Sequence, residues 1–124
     1  MTAKKKLLHI MDLSYIEKYH LNSSFLNKKI VIYNDRFSHI DKHKLEFSSI
    51  DEYNNAVNNI ETIIKDPDFI SIESGGRSIQ FIKTLKDNVL VAARLSIGDE
   101  LKIKTLFPIN KTKMKKLYDR CTYK

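Results

Sequence analysis

The sequence predicts an α+β fold: N-terminal helices, then an antiparallel sheet of about four strands, then a basic C-terminal helix. Three observations predict it. Apolar residues recur at helical spacing over 50–64. After Pro67 the pattern changes to short β-branched and aromatic runs. The links between those runs are short, which implies antiparallel neighbours. A chain of 124 residues has room for one domain with a modest core, spanning 1–124.

The elements follow in order. Ile10, Leu13 and Ile16 recur at intervals of three and predict a short helix within 11–22. Residues 29–33 (KIVIY) are compact and β-branched and predict a strand. Asn34 and Asp35 break that strand, and either can cap a helix over 35–44. Ser49 with Glu52 three residues on matches a capping box. Ile50, Tyr53, Val57, Ile60 and Ile64 then keep helical spacing until Asp66-Pro67 stops the helix. Strands are predicted over 69–72, 78–85, 89–96 and 100–107, with turns at 74–76, 86–88 and 97–99. Pro108 is expected to end the last strand, and 110–120 to form the basic terminal helix.

Composition narrows the function classes. The chain carries a net charge of +7, with 42% hydrophobic and 30% charged residues, which excludes collagen-like and wholly disordered chains. No apolar run approaches a membrane span, and Leu7-Leu8 is too short for a signal-peptide core. One cysteine, Cys121, excludes an internal disulfide framework and a cysteine-based zinc site. A reducing bacterial cytosol is the expected compartment. Lys4, Lys5 and Lys6 give +3 and residues 111–124 a net +5, leaving the middle of the chain at −1. Basic ends suit a polyanion such as nucleic acid. By charge alone, solubility explains them better.

Strand alternation singles out two polar residues. Ile79, Phe81, Lys83 and Leu85 share one face of their strand, and Leu101, Ile103, Thr105 and Phe107 share one face of theirs. A lysine on an apolar face must reach an edge, pair with an acid or line a cleft. Thr105 is also an ordinary strand residue. His39 and His43 are four apart and fall on one helical face. The segment His39-Ile40-Asp41-Lys42-His43 lacks the glutamate of a zinc-binding HExxH pattern and has no obvious third ligand, so no metal is assigned. Two imidazoles on one face can supply a general base and a general acid. Spacing alone fits two surface histidines better. Arginines are few beside eighteen lysines. Arg77 follows Gly75-Gly76 at a turn, where it can meet a phosphate or stand in solvent. Arg94, within an apolar strand, can serve a phosphate or a structural ion pair. Tyr33 and Phe37 could stack a base or simply pack.

With these elements placed, the chain resembles the phage-associated nucleases grouped with barnase, EndoU, the ribonuclease colicins and RelE, called PBECR. Four features carry the resemblance: His39-Ile40-Asp41-Lys42-His43 after a short strand; the helix end Ile63-Ile64-Lys65-Asp66-Pro67-Asp68-Phe69-Ile70; the strand Ile79-Gln80-Phe81-Ile82-Lys83; and the pair Val89-Leu90-Val91-Ala92 and Ile103-Lys104-Thr105-Leu106-Phe107-Pro108. They span about 29–108, a nuclease-like core followed by the basic tail 110–124. The resemblance implies a metal-independent endoribonuclease that needs no cofactor and uses the RNA's 2′-hydroxyl to form a 2′,3′-cyclic phosphate. It would map base and acid onto His39 and His43, order unassigned. Lys83 would stabilise phosphate charge, Thr105 would bond a non-bridging oxygen, and Arg77 or Arg94 would hold a flanking phosphate. Implied partners are RNA and a cognate inhibitor protein, in a toxin or phage–host conflict role. The alternative is a non-catalytic nucleic-acid-binding or interaction module of the same fold from a mobile element.

Overall fold

A computed structural model describes residues 4–73, 75–96 and 98–121. These residues form six strands and five α-helices: β1 (Lys5–Ile10), α1 (Leu13–Lys18), β2 (Lys29–Tyr33), α2 (Arg36–Ile40), α3 (Ile50–Asn58), α4 (Ile60–Lys65), β3 (Phe69–Ile72), β4 (Ser78–Thr84), β5 (Asn88–Leu95), β6 (Glu100–Ile109) and α5 (Lys111–Asp119). A 3-10 segment, Asp41–Glu46, continues α2. The sheet order is β1-β2-β6-β5-β4-β3.

The predicted four-stranded meander is present as β3 to β6, each antiparallel to the next. The sheet is nonetheless six-stranded and mixed, which corrects the expected helices-then-sheet order. β2 runs parallel to β6, with Ile30 opposite Leu101, and β1 lies antiparallel outside β2. β1 escapes the sequence pattern because only Leu8 of its six residues is buried. Its lysines suit an edge strand, where charge discourages further pairing. The predicted helix over 50–64 is two helices. Ser49 caps the first, its Oγ accepting from the Glu52 N–H at 3.1 Å. Asn59 leaves helical geometry at φ −107° and ψ 17° and separates them. Asp35 stands at the N-cap of α2 without a side-chain cap bond. Pro108 does not end β6, where it pairs with Val89. β2 pairs with β6 only as far as Lys102, so Pro108 lies on an open edge that tolerates a missing N–H. The turns expected at 74–76 and 97–99 each include one residue, Ser74 or Ile97, outside the described set. Gly75 and Gly98, at φ 96° and 89°, occupy the left-handed region there.

The sheet has two different faces. Ile79, Phe81, Val89, Val91, Ala93, Leu101, Ile103 and Leu106 share the inner face and pack with α1, α3 and α4 in the main core. Tyr15 and Tyr19 of the α1 region tie that layer down by donating to the carbonyls of Ile64 at 2.6 Å and Pro67 at 3.0 Å. Phe69, Ile82 and Leu90 belong to the outer face, where they pack on Leu117 and Cys121 of the C-terminal segment. The Asn110 side chain starts α5 by accepting from the Lys113 N–H at 2.8 Å. α5 covers only part of the outer face, and the uncovered part holds the candidate site.

Candidate active site

The site begins with an irregularity in β6. Ala92 pairs with Thr105, yet Ala93 pairs with Ile103. Lys104 is therefore an extra residue, a β-bulge that resets the alternation. Leu101, Ile103 and Leu106 remain on the inner face, whereas Thr105 and Phe107 turn to the outer one. This corrects the expectation that Leu101, Ile103, Thr105 and Phe107 share one face. The Thr105 Oγ1 is buried without a hydrogen-bond partner.

Because β2 is half the length of β6, α2 and the following 3-10 segment lie beside the free half of β6. Arg36 fixes this contact by donating from Nη1 to the Lys104 carbonyl at 3.3 Å, on the bulge itself. Ile40 is fully buried in the main core, which holds the segment down. The His39 and His43 rings lie 6.3 Å apart at 73°. The His43 ring lies 5.3 Å from that of Phe107, two residues along the outer face from Thr105. The His43 Nδ1 and Glu46 Oε2 are 2.5 Å apart, so a carboxylate orients the ring and leaves Nε2 for other partners. His39 titrates below the ordinary 6.5. Partial desolvation is the main cause, helped by the charges of Arg36, Lys42, His43 and Lys104.

Cations surround this group on the outer face. A cavity of about 270 Å³ beside α2 is lined by Tyr33, Asp35, Arg36, Lys102 and Lys104, with the Lys102 Nζ 5.1 Å from the Tyr33 ring centre. Arg94 pairs across the sheet with Lys102 and with Ser78, which places it on the same face. Arg77 and Arg94 together line a cleft of about 240 Å³ with Glu73, further from the histidines. Lys83 is not part of this group. It pairs with Val89 and so belongs to the inner face. Its Nζ donates to the Asp66 carbonyl at 2.8 Å and lies 3.6 Å and 3.8 Å from the Asp66 and Asp68 carboxylates. The structure thus puts His39 beside His43 and His43 against Phe107, on the face of β6 that Thr105 shares, places Arg94 on that face, and gives Lys83 a tie between β4 and the α4–β3 link. Among the described residues no group of three or more His, Cys, Asp or Glu is placed to hold a metal ion.

A family model, PBECR3, described as phage-Barnase-EndoU-ColicinE5/D-RelE like nuclease3, matches residues 9–116. The chain belongs to this family. No curated protein and no solved structure matches it. The PBECR3 match runs from His9 in β1 to Lys116 in α5 and encloses both histidines, the bulge and Thr105. Membership of a nuclease family supports a nuclease.

Sequence reasoning missed several members of this PBECR3 face. Lys102 and Lys104 carry no local signal that separates them from the other lysines, and none ties Arg36 to β6. Ser71 and Gln80 are buried, at 1% and 5% exposure, with the Ser71 Oγ and Gln80 Oε1 unpartnered. Register aligns Ser71, Gln80, Ala92 and Thr105 in one row across four strands. Polar residues alternating with Ile70, Ile72, Ile79 and Phe81 gave a signal, but that signal equally describes a face open to water.

Proposed function

We propose that this chain is an endoribonuclease that cuts RNA without a metal, using the substrate's own 2′-hydroxyl. His39, whose pKa desolvation and the neighbouring cations lower, is the base: it takes the proton from the 2′-hydroxyl. The 2′-oxygen forms a bond to phosphorus as the bond from phosphorus to the 5′-oxygen breaks. His43, the imidazole with a carboxylate partner, gives a proton to the leaving 5′-oxygen. The products are a 2′,3′-cyclic phosphate and a 5′-hydroxyl. Thr105 donates its unpaired hydroxyl to a non-bridging oxygen, and Arg36 and Lys104 offset the charge that develops there. Arg94, with Arg77 beyond it, holds a phosphate further along the strand.

The observation that carries this reading is the pairing of His39 with His43, whose ring lies against Phe107, two residues along β6 from a buried threonine hydroxyl with no partner of its own. The test is to incubate the protein with RNA in EDTA and analyse the product ends. Cyclic phosphates are expected from the native chain. His39→Ala and His43→Ala should each lower the rate by on the order of 10²–10⁴. Salt-sensitive binding without cleavage would instead establish a binding module.

A further inference from the structure

A third cavity, between α5 and the outer face, has no part in the chemistry above. It encloses about 200 Å³, and cavities of about 150 Å³ accept a benzene-sized ring. Leu90 and Phe107 contribute apolar walls, and Lys113 and Arg120 of the C-terminal segment line it too. Gln80 also lines it. The Gln80 Nε2 donates to the Ser78 Oγ at 3.3 Å, which leaves Oε1 as a buried acceptor with no donor. A buried amide oxygen is costly to leave unpaired, and Gln80 lines the cavity, so a ligand there can supply the missing N–H.

We propose that this cavity is a base subsite, holding the base of a nucleotide next to the scissile phosphate, with the Gln80 Oε1 accepting from the base edge. Bases have apolar planar faces, polar edges and an attached anion. The cavity offers apolar walls, an amide acceptor and two cations in matching roles. Phe107 joins this subsite to the reaction, because it lines the cavity and its ring also packs 5.3 Å from His43. Glu73, also in the lining, supplies a second acceptor and strengthens the demand for a donor-bearing edge. The identity of the polymer rests on the ribonuclease reading, whereas the base selection rests on Gln80.

The test is equilibrium binding of the four nucleoside 3′-monophosphates to the full chain. Their affinities should spread by about tenfold, the discrimination of one good hydrogen-bonded contact. Ribose phosphate without a base should bind more weakly than any of them. Gln80→Met, close in shape, should collapse the spread to under about twofold, and the isosteric Gln80→Glu should re-order it. Lys113→Gln with Arg120→Gln should weaken all four alike. Circular dichroism checks that each variant is folded, and Gln80→Glu decides the matter if Gln80→Met is not. Equal binding of all four by the native chain, or an unchanged spread in either folded Gln80 variant, overturns the subsite. Binding needs no cleavage, so the two readings fail separately. Selective binding by a chain that leaves RNA intact refutes only the ribonuclease, and unselective binding by one that cuts it refutes only the subsite.

Discussion

At Thr105 stability and the proposed function can be told apart. Its hydroxyl is buried and unpartnered, and a group in that state destabilises a fold unless a ligand completes it. Thr105→Val keeps the shape and removes the hydroxyl. Thermal unfolding should show stability unchanged or raised by up to about 1 kcal/mol, while single-turnover cleavage slows by about tenfold or more. A fall in Tm would assign the hydroxyl to the fold instead. His39 makes a second prediction. It must be neutral to act as base, and it titrates below 6.5, first from desolvation and then from the neighbouring cations. The acidic limb of kcat/KM should therefore lie below pH 6.5, with activity lost as the pH falls through it. Added salt screens Arg36, Lys42 and Lys104 and should move that limb upward. A limb above 6.5 would remove His39 as the base. The histidine pair was legible in the sequence because spacing within one short segment is a local property. The face of Thr105 was not, because a bulge is visible only in the pairing with β5.

At the scale of the element, β4 and its neighbours explain Lys83. Alternation correctly singled out a lysine on an apolar face. Its partners, however, lie in the link between α4 and β3, which sequence spacing could not connect to it. Asp68 belongs to the same tie, accepting from the Thr84 N–H at 2.8 Å. With its side chain 19% exposed, Lys83 holds a short link against the end of β4. Lys83→Met should lower stability by about 1 kcal/mol in a denaturant titration and leave kcat unchanged. A large drop in kcat at unchanged stability would return Lys83 to the chemistry. The same contrast of local and distant signals separates the strands. β3 to β6 are neighbours in sequence and could be read from their turns. The parallel pairing of β2 with β6 joins residues about 70 positions apart and leaves no local trace.

The whole molecule divides its labour between the two faces of one sheet. The inner face supplies the main core and most of the buried apolar surface, which is the dominant favourable term in folding. The outer face is only partly covered by α5, and across it run the cations Arg94 and Lys102, the polar row of Ser71, Gln80 and Thr105, and the apolar residues under Leu117. Such a face costs stability, and in the proposed function it receives an anionic polymer. The central claim is that this face cuts a phosphodiester through a neighbouring 2′-hydroxyl. The most direct measurement uses a DNA oligonucleotide containing one ribonucleotide, incubated with the native chain in EDTA beside the same oligonucleotide with no ribonucleotide. The account predicts a single cut on the 3′ side of the ribonucleotide, ending in a 2′,3′-cyclic phosphate, and no cut in the all-DNA strand. Cleavage of both strands, or cutting that stops when EDTA is present, would contradict it.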